Sequence, residues 1–199
     1  MEVFIRMAIC SPAESETPDA AAVVTWAERA VERGANSLLL RHPNAAWIEA
    51  VLPALQRVRS PDVHVGVNTN WVRFKKKLKT YDFLHLKSNY MDAYQEEDLY
   101  ALVEQLQELD KYVESACHTD EDIDWAEYYG MKRVVVGPVF PTASHPEQPT
   151  LGLAGFAALA TFAQQFGLPV IALGGVQAKD EATLIAAGAS GWAGISAFA

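Results

Sequence analysis

Ile171-Ala172-Leu173-Gly174-Gly175-Val176, the helical pattern Lys179–Ala187 and the run Gly191-Trp192-Ala193-Gly194-Ile195-Ser196 together decide the fold. An apolar run ends in paired glycines, a helix intervenes, and a second apolar run ends in Gly194 and Ser196. Two such strands joined by a helix pair in parallel. Working outward, the same alternation extends to the N-terminus. Strand patterns fall at Val3–Cys10, Ser37–Arg41, Val63–Val67, Asp82–Leu86, Tyr112–Ala116, Arg133–Val136, Pro169–Leu173 and Gly191–Ile195. Helical patterns fall at Ala20–Arg33, Ala45–Val58, Gln95–Leu109, Asp120–Tyr129, Leu153–Phe166 and Lys179–Ala187. Asp120 suits a helix start, and Gly34, Gly130, Gly167 and Gly188 suit helix ends.

Eight strands alternating with helices predict a compact (β/α)8 TIM barrel, with an open doubly wound sheet as the alternative. The usual barrel has about 250 residues, whereas this chain has 199. Loops must therefore be short, and the last helix is largely missing. The weakest helix follows the third strand, in the basic stretch Trp71–Lys79, whose charges read as a solvated face. No composition shift marks a boundary, so residues 1–199 read as one domain. The terminal segment Trp192–Ala199 is too apolar to stand bare in water. We expect either a homodimer covering that wall or repacking of the first and seventh helices.

Half the residues are hydrophobic and 21% are charged, which fits a globular chain and excludes wholesale disorder. The net charge of −9 argues against a nucleic-acid surface or an anionic membrane as partner. It leaves room for a phosphorylated ligand, because backbone N–H groups can bind an anion locally. No apolar run is long enough to span a bilayer, and the N-terminus lacks a signal-peptide pattern. With only Cys10 and Cys117, at the ends of different strands, a disulfide scaffold is not expected. The expected compartment is a reducing cytoplasm.

In a barrel of this kind chemistry gathers where the strands end. Sorting polar residues by strand end places Arg41 and His42 after the second strand and Asn68 and Asn70 after the third. His85 ends the fourth and His118 follows the fifth. Thr142, Ser144 and His145 lie after the sixth. Of the five histidines only His64 falls at a strand start. Gly174 and Gly175, paired with Gly194, Ile195 and Ser196, match a phosphate cradle built after strands seven and eight. A Gly175→Val change is expected to weaken phosphate binding and leave the fold largely intact. A zinc site from His85, His118, His145 and Cys117 lacks any short ligand spacing.

These segments resemble the thiamine phosphate synthase and TenI family. Val136-Gly137-Pro138-Val139-Phe140-Pro141-Thr142-Ala143-Ser144 is similar to its G-P-x-F-x-T-x-[TS] loop. Ile171–Val176 resembles its A-I-G-G-I loop, and Ala187–Ser196 its A-G-A-x-G-x-A-V-x-S ending. Leu40-Arg41, Phe83-Leu84-His85-Leu86 and Cys117-His118-Thr119 resemble earlier family motifs. The resemblance implies a small barrel and a phosphorylated thiazole as ligand.

Departures from the family pattern narrow the expectation. The synthase joins a pyrimidine diphosphate to a thiazole phosphate with magnesium and basic side chains. Its N-D-R segment is here Asn68-Thr69-Asn70, its second metal-binding Asp falls on Tyr90, and the Lys of T-x-T-K is His145. The Q-L-R-x-K motif becomes Leu39-Leu40-Arg41-His42-Pro43, and Ala116 stands where the family has Ser. Diphosphate departure concentrates negative charge, which those absent groups would have stabilised.

What remains resembles the TenI branch, which implies tautomerisation of a thiazole carboxylate phosphate without metal or cofactor. By this resemblance His118 is the general acid/base. Gly174, Gly175, Gly194, Ile195 and Ser196 would bind phosphate. Arg41, Asn68, His85, Thr142, Ser144, His145 and Gly152 would bind the rest of the substrate. The alternatives are a divergent synthase and a non-catalytic phosphate-ligand-binding protein.

Overall fold

The computed structural model describes residues 3–68, 80–90, 95–142 and 147–198. Its strands are β1 (Ile5–Cys10), β2 (Ser37–Arg41), β3 (His64–Asn68), β4 (Phe83–Leu86), β5 (Tyr112–Cys117), β6 (Arg133–Val136), β7 (Val170–Leu173) and β8 (Gly191–Gly194). They pair in parallel in chain order, and β1 closes on β8. This is the closed (β/α)8 barrel the alternation predicts, so the open doubly wound sheet is excluded.

Each strand is buried on both faces, which is why it reads as a continuous apolar run. Met7, Ile9, Leu39, Phe83, Val135, Ile171 and Ala193 fill the barrel. The alternate positions, such as Ala8, Leu38, Val65, Leu84, Val113, Val134 and Ala172, pack against the helices outside. Gly66 makes room for this interior, because a β-carbon there would lie 2.2 Å from the Phe83 ring. The same alternation decides which polar side chains face inward. Arg41, Asn68, His85, Glu114 and Arg133 share parity with the inner residues, whereas Cys10, Ser115 and Cys117 share parity with the outer ones.

The described helices are Ala20–Glu32, Ala45–Val51, Glu96–Glu108, Asp120–Tyr128, Gly152–Gln164 and Glu181–Ala186. Three start on side-chain caps that satisfy orphan amides. Asp19 accepts from Ala22 N at 2.8 Å and Asn44 from Trp47 N at 3.1 Å. Thr119 and Asp122 cap each other reciprocally. The second helix stops short of the predicted Val58. Pro53 lacks an N–H and opens a 3-10 turn over Leu52–Arg57.

Among the described residues β8 is followed by a 3-10 turn, Ser196–Phe198. Phe198 is buried and stacks on Trp192 at 4.8 Å between ring centroids. Trp192 Nε1 donates to Glu181 at 3.0 Å, and Glu181 also accepts from Arg6 Nε at 2.8 Å. Trp192 is thus covered from within the chain, by its own terminus and the helix Glu181–Ala186. At Trp192 the expected cover of the β8 wall is supplied by residues of the same chain.

At the strand starts a cavity of about 670 Å³ is lined by Arg59, His64, Asp82, Lys111 and Tyr112, among others. Asp82 accepts from Arg59 Nε at 3.0 Å and from Val65 N at 2.9 Å, tying β3 to β4. This end of such barrels carries stability rather than chemistry. His64 lies here, as its place in the sequence predicts.

Candidate active site

At the opposite end, the loops after β5 to β8 form a continuous rim. His118 extends past β5 and its Nδ1 lies 2.5 Å from the carbonyl oxygen of Gly137, just beyond β6. A carbonyl only accepts, so Nδ1 carries the hydrogen and Nε2 is left as an acceptor in the neutral ring. The His118 backbone is fixed as well, with its N–H donating to Asp122 Oδ2 at 2.6 Å. His118 is exposed, and Nε2 has no hydrogen-bond partner among the described residues.

The rim continues from β6 to β7. Val139 N donates to Leu173 O at 2.8 Å, and Phe140 N to Gly174 O at 2.9 Å. Gly174 and Gly175 both have positive φ, +98° and +65°. Their amides have no protein acceptor among the described residues, nor does that of Ile195 after β8. The β7 and β8 loops adjoin, since a β-carbon on Gly194 would come 3.7 Å from Val176 O. The arrangement offers several unengaged N–H donors on adjacent loops at the strand ends, the chemistry an anion needs.

The other polar residues sorted to strand ends fall in several places. Arg41 and Asn68 are register partners at the ends of β2 and β3. Arg41 is exposed and Asn68 buried, both with inward parity. Thr142 is half-buried in the β6 loop, and Gly152 spends its amide on Val139 O at 3.0 Å. Ser144, His145 and Asn70 lie outside the described residues. His42 faces outward. Buried beneath the β1 loop, it accepts from Asn44 N at 3.0 Å and packs against Trp47, so it supports the loop structure.

His85 is the last inward residue of β4, and it brings with it a group the sequence reading did not single out. Its Nδ1 lies 2.8 Å from Glu114 Oε1, and Arg133 Nε donates to Glu114 Oε2. Glu114 is wholly buried and Arg133 nearly so. The guanidinium lies over the rings of Phe83 and Tyr112, 4.8 and 4.9 Å from their centroids. Burial opposes charge on Glu114, but Arg133 and the hydrogen bond from His85 outweigh it and hold the carboxyl below its ordinary range. The missed signal was a Glu and an Arg at inward positions of adjacent apolar strands.

The cysteines are unsuited to nucleophilic work. Burial pushes the Cys117 thiol up to about 12 and the Cys10 thiol up to about 11, so neither is a thiolate near neutrality. Tyr90 is buried in the layer between barrel and helices, edge-on to Tyr129. Among the described residues no three His, Cys, Asp or Glu side chains are grouped to hold a metal.

Residues 7–198 match the family described as thiamine monophosphate synthase, TMP-TENI. The chain belongs to this family. It is 37% identical over 89 residues to the thiamine-phosphate synthase of Bacillus thuringiensis strain Al Hakam, covering 44% of this chain and 40% of that protein. A Bacillus cereus thiamine-phosphate synthase is 36% identical over the same length, again 44% and 40%. The matched stretch thus spans about two-fifths of these curated relatives. Among solved structures, a thiamine phosphate pyrophosphorylase from Pyrococcus furiosus superposes with a TM-score of 0.69 at 18% identity, over 97% of this chain and 86% of that one. An N-acetylmannosamine-6-phosphate 2-epimerase from Clostridium perfringens does so at 0.69 and 12%, over 98% and 87%. These two likenesses concern the fold.

Membership of the TMP-TENI family brings magnesium into question, because the synthase reaction uses it. Where the family pattern has a metal-binding Asp, Tyr90 offers a phenol packed among apolar side chains. A hard cation takes clustered carboxylate and carbonyl oxygens, and the described residues do not supply that set. No catalytic step is therefore derived through a metal.

Proposed function

We propose that this member of the TMP-TENI family is a metal-independent tautomerase of a thiazole carboxylate phosphate, with His118 as its acid/base. The observation that carries the reading is the hydrogen bond from His118 Nδ1 to the Gly137 carbonyl. It leaves Nε2 as a base at the strand ends, on the same rim as the unengaged glycine amides. In the proposed cycle those amides hold the phosphate. Nε2 takes a proton from one ring position, and the imidazolium returns it at another. No charge is left to neutralise at the end, so no cation is required.

A divergent synthase is the second reading, favoured by the names of the curated relatives. Two assays separate them. Thiazole carboxylate phosphate supplied with EDTA should aromatise, read by ultraviolet absorbance. Pyrimidine diphosphate with thiazole phosphate and Mg²⁺ should yield no thiamine phosphate. The reverse pair of results makes the chain a synthase, and saturable binding with neither product makes it a binding protein.

A further inference from the structure

The barrel interior holds a charged group that the proposed chemistry does not use. Glu114 is fully buried between two donors, His85 on β4 and Arg133 on β6, one strand to either side. The three positions are register partners across β4, β5 and β6, so the contacts are built into the sheet. A buried ion pair is a poor way to gain stability compared with apolar packing. Nothing in filling a barrel requires one here.

Its consequence for His85 follows from donor and acceptor chemistry. Arg133 holds Glu114 ionised, and an ionised carboxylate only accepts. The His85 nitrogen facing it must carry the hydrogen. His85 Nε2 is then an acceptor with no hydrogen-bond partner among the described residues, on a ring that keeps 7% of its surface exposed. As the last inward side chain of β4, His85 stands at the inner edge of the mouth whose rim carries His118 and the glycine loops.

We propose that Glu114, clamped by Arg133, is a positioning residue that locks His85 in the Nδ1–H tautomer. His85 thereby presents a fixed acceptor at Nε2 to an N–H or O–H donor of the bound ligand. The proposal rests on the proposed function only for the identity of that ligand.

Glu114→Gln gives a sharp test. Arg133 Nε–H can only donate, so it claims the one oxygen of the carboxamide. The amide NH2 is left facing His85, which must then accept at Nδ1 and move its hydrogen to Nε2. The variant reverses the polarity of the nitrogen offered to the ligand. Long-range 1H–15N spectra of the whole chain read the tautomer directly, with His85→Gln used to assign the ring.

We expect Nδ1–H in the wild type and Nε2–H in E114Q. Binding of thiazole carboxylate phosphate to E114Q should weaken roughly 10-fold, the loss expected when an acceptor opposite a ligand donor becomes a second donor. Inorganic phosphate should bind both proteins alike. A wild-type ring in the Nε2–H form overturns the proposal, as does a folded E114Q that stays Nδ1–H. If E114Q does not fold, the wild type decides alone. A downfield Nδ1–H protected from solvent exchange upholds the lock, and a freely exchanging one refutes it. Should the thiazole ligand bind neither protein, the functional reading fails and the spectra still decide this one.

Discussion

Gly174 lies so close to Pro138 that a β-carbon on it would come within 2.7 Å of Pro138 Cα. The next residue is as tightly placed: on Gly175 a β-carbon would meet Pro141 O at 2.5 Å. Both residues also have positive φ. The β7 loop is thus pressed against the backbone of the β6 loop, and only glycine fits. Gly175→Val therefore does more than the sequence suggests. It should weaken phosphate binding and also cost about 1–3 kcal/mol through forced backbone strain. Thermal unfolding and a phosphate titration check both parts. Lost binding with an unchanged melting temperature would contradict this packing.

Glu114 ties the acid sensitivity of the fold to one buried carboxylate. Its pKa is lower in the folded chain than the ordinary 4.5. Its stabilising contribution is therefore complete above the unfolded value and is lost as pH falls through the folded one. Removing the carboxylate with Glu114→Ala leaves Arg133 and its guanidinium buried without a counter-charge, at a cost of about 3–5 kcal/mol. Urea unfolding at neutral pH measures that loss. In Glu114→Gln the fall of stability with acid should be shallower than in the wild type; equal slopes would show that Glu114 titrates normally.

Phe198 caps Trp192 beyond the end of β8. Phe198→Ala should destabilise the chain by about 3 kcal/mol and shift indole emission to the red. A variant as stable as the wild type would mean that another element covers β8.

Tyr90 gives the prediction on metal. A phenol buried between barrel and helices cannot replace a carboxylate ligand for a hard cation. Calorimetric titration with Mg²⁺ should show no stoichiometric uptake, with or without pyrimidine diphosphate. Tight uptake coupled to the diphosphate would favour the synthase reading.

The barrel was legible in the sequence because its strands are doubly buried apolar runs and four of its described helices are followed by Gly34, Gly130, Gly167 or Gly188. β2 and β6 begin and end at the predicted residues, β3 is shifted by one at both ends, and the other strands differ by one or two at one end. Pro53 was visible too, yet apolar spacing carried the predicted helix past it to Val58. The tight turn after β7 showed itself as paired glycines, and both have positive φ. His42 and His85 looked alike as strand-end histidines, and only strand parity separates the outward support from the inward acceptor. Glu114 and Arg133 stayed hidden because each looks like an isolated charge in an apolar run. Their partnership exists only across the β5–β6 register.

The central claim is that His118 shuttles a proton with no metal. The direct measurement is turnover of thiazole carboxylate phosphate in EDTA by the wild type and by His118→Asn, with ligand affinity measured alongside. Asparagine keeps a polar group at the rim but cannot carry a proton near neutral pH. We predict turnover in the wild type, a loss of at least about 100-fold in His118→Asn, and nearly unchanged affinity. Undiminished turnover in His118→Asn, or wild-type turnover that disappears with EDTA, would contradict the claim.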